Sequence, residues 1–184
     1  MPHNKYLNWP SVSRVVKDLI PNPGVDSWKA RVGEDKAKLI SKEATDYGTN
    51  LHSMIEKAIK ANRWPRKYNL DRAKKFVKEH PGGDVEVHCL DKEARFHGTI
   101  DYACPRFNCI ADWKSGRMFD IGSFFQMLGY SFLSKTKDAV LIPVGEKAKY
   151  LKPCWFIDLN TKWPVWDAMV ETWWKINPSG VESE

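Results

Sequence analysis

The hydrophobic period of this 184-residue chain first changes at the "PGG" of residues 81–83, and that change limits the folds open to it. Before it, apolar residues recur every three or four positions, as on a helix face. Val12, Val15, Val16 and Leu19 make one such stripe, with Pro10 and Ser11 at its start. After it they alternate, as on a strand: "DVEVHCL" from Asp84, then "ARFHGTIDYA", then "NCIADWK". Helices followed by a strand meander, a helix, more strands and a closing helix make a mixed α/β fold, a central mixed sheet flanked by helices. They do not make an alternating dinucleotide-binding pattern.

The spacing predicts helices over about residues 10–19, 27–41, 49–61 and 70–80, with "PNPG" stopping the first and "RWPRKYN" breaking the pattern after the third. A helix over about 120–134 takes Asp120 as its N-cap, and a Trp-rich helix covers about 162–176. "AVLIPV" (139–144) and "CWFIDL" (154–159) are two further strands. No repeat or low-complexity linker divides the chain. The expectation is a single domain over 1–184, with a helical basic part (1–83) and a sheet with its helices (84–176).

Charge is divided in the same way. Residues 1–83 carry 17 Lys/Arg against 9 Asp/Glu, and residues 84–184 carry 12 against 14. A basic front and a carboxylate-rich back fit a protein that attracts a polyanion to a cation-binding centre, and they fit a solvated basic helix surface equally well. Cys89, Cys104, Cys109 and Cys154 form no C-x-x-C pair and no zinc pattern, so reduced, mostly buried thiols are expected. "MPHNKYLNWPSVSR" lacks the apolar run of a signal peptide, and no segment approaches a membrane span. A soluble, intracellular protein without a membrane partner is expected.

"GTIDYACPRFNCIADWKSG" (98–116) carries the chemistry. In a strand, Asp112 and Lys114 share a face that Trp113 does not. With "PRFN" (105–108) as the hairpin loop, Asp101 falls opposite Asp112, their Cβ atoms roughly 4.5–5.5 Å apart. Two carboxylates so placed repel unless a positive charge lies between them, and a hard divalent cation satisfies both. Lys114, one step along the face, would hold a water or a phosphate oxygen. That set suits metal-assisted hydrolysis of a phosphodiester. A lone D-x-K would be read as a strand-end ion pair; the hairpin and the following K-S-G turn favour the chemical reading.

These residues, with "QMLGY" at 126–130, resemble the PD-(D/E)xK nuclease superfamily, specifically its RecB-like exonuclease branch. That branch includes small phage nucleases and the mitochondrial genome-maintenance exonuclease. The resemblance covers about residues 11–130. It implies a restriction-endonuclease-like core with Asp101 and Asp112 as metal-binding acids. Trp113 would contribute its backbone carbonyl, and Lys114 would be the catalytic lysine. Ile100 stands where the family motif has proline. Gly48, His52 and Glu56 match the branch's G-x-x-x-H-x-x-x-E helix, which makes His52 a third metal ligand and Glu56 and Gly48 its support. Taken as bare residues, His52 and Glu56 read as a partly exposed pair beside a core stripe. Glu86, on the first strand with Val85 and Val87 turned the other way, matches an acid common near the site. Solvent exposure is nearly as good a reading for it. Gln126 and Tyr130 match Q-x-x-x-Y, whose implied role is DNA contact or support of the lysine. One or two Mg²⁺ or Mn²⁺ ions are implied. The iron–sulfur members place one Cys before and three after the core, a spacing absent here, so no cluster is expected.

Residues 57–78 hold nine Lys/Arg against Asp71 alone. Lys60, Arg63, Arg66 and Lys67, with Trp64 interleaved, would grip nucleic acid without regard to sequence. The same run reads equally as a solvated helix pair with Trp64 in the core. Arg117 is a further candidate phosphate contact, while the Trp-rich last helix reads as core or lid. The function expected is a metal-dependent DNA exonuclease acting on single strands or ends, alone or with a repair, recombination or replication partner. Its length fits a phage gene acting in a bacterial cytoplasm. A structure-selective endonuclease on the same fold, and a non-catalytic binding module, stand as alternatives.

Overall fold

The computed structural model describes residues 8–66, 68–116, 120–148 and 150–180. Helix α1 (Val12–Leu19) starts where Ser11 accepts the Arg14 N–H at 3.1 Å, and it turns Val12, Val15 and Val16 inward. Helix α2 (Pro23–Val32) takes Asn22 as its cap and proline at its first position. The spacing predicts a break between about 41 and 49, but α3 (Glu34–Lys60) runs unbroken for 27 residues. The break lies at Gly33, where φ is 85°. Residues 42–48 hold no proline, and Gly48 within a helix costs only about 1 kcal/mol. Helix α4 (Asp71–Glu79) completes the front half.

Five strands form one sheet in the order β1 (Asp84–Asp91), β2 (Phe96–Cys104), β3 (Cys109–Lys114), β4 (Asp138–Pro143) and β5 (Cys154–Phe156). The first three are an antiparallel meander. Helix α5 (Ile121–Ser134) then carries the chain over to β4, which lies parallel to β3, and β5 returns antiparallel. Strand β5 is three residues long where "CWFIDL" predicts six, because Asp158 (φ 52°) turns the chain into a helical turn before α6 (Trp163–Ile176). This is a mixed α/β fold with helices on both faces of the sheet.

Each face has its own core. One joins α1, α5 and α6 to the sheet through Val12, Phe96, Ile100, Met127, Trp166 and Trp173. The other joins α3 and α4 through Leu51, Ile55, Phe76, Tyr102, Trp113 and Ile142. Trp166 and Trp173 are thus core, not a platform. Alternation in β3 puts Ile110 in the first core and Ala111 and Trp113 in the second, which turns Asp112 toward the α5 side. Val85 and Val87 do not share a face as the alternation predicts: Val85 packs on the second core and Val87 on the first. Between them Glu86 adopts φ 52°, and the ladder of β1 and β2 skips the Glu86–Asp101 pair. Among the described residues, no helix is long and apolar enough to cross a membrane.

Candidate active site

The hairpin register pairs Tyr102 with Ala111, Ala103 with Ile110 and Cys104 with Cys109. The ladder ends at the Tyr102–Ala111 pair, and Asp101 and Asp112 are the next residue on each strand. The loop is the predicted one: Pro105–Phe107 make a single 3₁₀ turn, and Asn108 closes it at φ 52°. Both acids are buried, Asp101 to 8% and Asp112 to 4% exposure. Burial of this kind is tolerated only where each carboxylate has partners.

Asp101 finds them on the α3 side. Its Oδ2 accepts the Trp113 N–H at 2.7 Å, and its Oδ1 lies 3.2 Å from His52 Nδ1. His52 Nε2 meets the Trp113 carbonyl at 2.8 Å, and since a carbonyl only accepts, Nε2 carries a proton. Burial alone would lower the His52 pKa. The hydrogen bond to Asp101 and the charges of Asp101 and Asp112 outweigh it and raise the value to about 9. Glu86 joins from β1: ligand atoms of His52, Glu86 and Asp101 all lie within 4.8 Å of one another. Burial and then the charge of Asp101 push the Glu86 carboxyl up.

Asp112 finds its partner on the α5 side. Lys114 Nζ lies 2.9 Å from Asp112 Oδ2 as an ion pair, and no other partner reaches this buried oxygen among the described residues. The same ammonium donates to Gln126 Oε1 at 2.8 Å. Burial pushes the Asp112 carboxyl up against the pull of Lys114, while Asp112 holds Lys114 above its ordinary value despite burial. Gln126 Nε2 in turn donates to Tyr130 Oη at 3.1 Å and reaches Ser13 Oγ at 3.5 Å. Burial, then the charge of Asp112, raises Tyr130 to about 12, so its hydroxyl keeps its proton.

Local sequence sets these positions. Asp120 caps α5 by accepting the Ser123 N–H at 2.6 Å. Gly129 lets α5 seat against Trp166 and Val12, where a Cβ would come within 2.6 Å of the indole. Gly98 on β2 leaves room for the Tyr130 ring, which a Cβ would meet at 2.9 Å. Nothing in the spacing of α1 marks Ser13, because its contact with Gln126 spans 113 positions.

The other predicted residues distribute as follows. Gly48 lies on the α3 turn before His52, where a Cβ would stand 3.2 Å from Ser115 Oγ. Glu56 is not joined to His52; it pairs with Lys60 at 2.6 Å, as i, i+4 charges on one helix do. Trp64 packs against the α3–α4 core, and Arg63 and Arg66 are exposed. Lys67 and Arg117 lie outside the described residues.

The donor set is one imidazole and two carboxylates within a cation's reach, with the buried Asp112 carboxylate on the neighbouring strand. Three acids face two basic side chains, so the chemistry of the set fits a divalent cation.

No protein-family model matches the chain, and neither does any curated protein. Similar solved structures include SSO0001, 14% identical with a TM-score of 0.47, the match covering 93% of this chain and 79% of that one. They also include a phage-related exonuclease from Haemophilus somnus 129PT, 12% identical with a TM-score of 0.41, covering 93% of this chain and 95% of the other.

Proposed function

We propose that this chain is a metal-dependent DNA exonuclease of the PD-(D/E)xK type and RecB-like branch. In this reading residues 1–184 form one domain, and the sheet is a restriction-endonuclease-like core. The observation that carries it is the Lys114 ammonium, held 2.9 Å from Asp112 and 2.8 Å from Gln126 beside the His52–Glu86–Asp101 set. An ammonium has three N–H donors, and two of these face fixed partners. The third is the donor that positions a water for in-line attack on a phosphodiester.

His52, Glu86, Asp101 and the Asp112 oxygen would hold Mg²⁺ or Mn²⁺, with the Trp113 carbonyl at their edge. Such an ion, when bound, acidifies a coordinated water and offsets charge on the phosphorane. Asp112 keeps Lys114 protonated and in place. Trp113, through its N–H to Asp101 and its carbonyl to His52, ties the two strands and α3 into one frame. Gln126 and Tyr130 support the lysine. Arg63, Arg66 and Lys67, with Arg117, would hold the phosphate backbone. Lys60, already neutralised by Glu56, contributes less to this grip, and Trp64 acts as packing.

The test is cleavage of end-labelled linear single- and double-stranded DNA and of closed circles, with Mg²⁺ or Mn²⁺ against EDTA. The Lys114→Ala variant is run alongside. Metal-dependent loss of linear DNA alone, abolished in the variant, is the expected result. Cutting of circles would make the enzyme an endonuclease. Binding without cleavage under any condition would make it a binding module.

A further inference from the structure

We infer that Trp155 and Phe107, gathered round His80 at the end of α4, form a stacking platform for the unpaired bases of a nucleic-acid strand laid along that helix. The route from the platform to the acid site rests on the nuclease reading; the platform itself does not. Trp155 is 48% and Phe107 40% exposed. Single exposed apolar residues need no explanation, but a group of rings does. His80 holds the group together: its ring lies 5.0 Å from Phe107, edge to face, and 6.1 Å from Trp155. The rings are held from beneath. His80 stacks on Phe76 at 4.1 Å and donates from Nδ1 to the Phe76 carbonyl at 3.0 Å. Trp155 leans on the same Phe76 ring at 6.1 Å, and its backbone is fixed beside Val140. Rings already in place lose little freedom when a base settles on them.

Charge selects the occupant. Helix α4 begins at the acid-site end of the sheet, where Asn69 bonds Gly145 and the neighbouring Val144 N–H meets the Lys114 carbonyl. It ends at the hairpin, where the His80 carbonyl accepts from Tyr102 Oη at 2.6 Å. Lys74 and Lys78 stand four apart on its exposed side, with no ion-pair partner among the described residues. Of the two acids on α4, Asp71 lies at its start and Glu79 pairs with Lys75 at 3.8 Å. Arg106 adds a cation 5.8 Å from the Phe107 ring. Lysines leading to open rings match phosphates followed by bases. A duplex keeps its bases stacked inside, so the strand that fits is single. Lys114 lies five residues beyond Cys109 on β3, roughly 17 Å, so platform and acid site are separate contacts along one strand.

The experiment measures binding by fluorescence anisotropy in EDTA, where nothing is cleaved, to a labelled thymidine oligomer of about 16 nucleotides and to the same backbone without bases. Wild type should hold the thymidine oligomer more tightly. Trp155→Ala should weaken that binding about tenfold and leave the abasic strand and a duplex unchanged. The unchanged abasic affinity certifies that the variant is folded; if it falls too, Trp155→Phe and Trp155→Leu decide. Phe should restore base-dependent binding and Leu should not. Lys74→Gln with Lys78→Gln should flatten the salt dependence of binding to both single strands, by about 0.7 in log–log slope per lysine. Equal wild-type affinity for the thymidine and abasic strands overturns the inference, as does full binding by Trp155→Ala. Full binding by Trp155→Leu also overturns it and makes the surface an apolar dock for a protein. If the wild type cleaves nothing with Mg²⁺ or Mn²⁺ yet shows the base-dependent loss, the nuclease reading falls and the platform stands.

Discussion

Asp101 and Asp112 stand on the two strands of one hairpin, each one residue beyond the last ladder pair, yet they are neutralised in different ways. Asp101 leans on His52, a group that can give up its proton, and shares its space with Glu86. Asp112 is buried against Lys114, whose proton is held more tightly than usual. The first half of the site can exchange a proton for a cation; the second keeps a fixed charge in a fixed place. Two carboxylates of one chemical type thus do separate work because one pairs with an imidazole and the other with an ammonium.

The largest effect should come from breaking the fixed half. Lys114→Met leaves Asp112 buried and unpaired, and should destabilise the metal-free protein by about 3–5 kcal/mol in urea unfolding at neutral pH. Burial already raises the Asp112 carboxyl, so the penalty exists only where it is ionised. It should shrink as pH falls and Asp112 takes a proton.

The exchangeable half should respond to pH instead. The folded His52 value of about 9 lies above the ordinary 6.5. Its contribution to stability is therefore complete below about pH 6.5 and lost as pH rises through about 9. A cation must displace the same proton, so Mn²⁺ affinity measured by titration calorimetry should climb with pH across that window, with up to one proton released per ion. His52→Ala should flatten both profiles and weaken Mn²⁺ binding by about 10- to 100-fold.

A smaller change sharpens the contrast. Glu86 holds φ 52° in mid-strand, a conformation that costs a non-glycine residue about 1–2 kcal/mol. Glu86→Gly should raise stability by about 1 kcal/mol in thermal unfolding while lowering Mn²⁺ affinity. Equal losses of stability and affinity would show that the strand geometry serves folding and not the cation.

The hairpin register was readable in advance because a four-residue loop and a period of two leave one arrangement that buries both flanks. The cap at Asp120 is equally local in origin. The helix break falls at Gly33, which holds a positive φ, and nothing between 41 and 49 forces one. The kink at Glu86 and the contact from Ser13 to Gln126 left no trace in any window of neighbouring residues. Both arise from what the folded layers bring together. Glu56 shows the converse: its spacing from His52 is right for a shared face, but Lys60, four residues on, takes it first.

The site draws on both cores at once. His52 is carried by α3, packed into one, while Gln126 and Tyr130 ride on α5, packed into the other. Strands β2, β3 and β4 send side chains into both. The candidate site therefore works as a coincidence detector for folding, intact only while two separately packed layers hold their alignment across the sheet. On the nuclease reading, cleavage in a urea titration should fade at concentrations where far-UV circular dichroism is still native, since a slip between layers parts Gln126 on α5 from Lys114, or His52 on α3 from Asp101, before either layer melts.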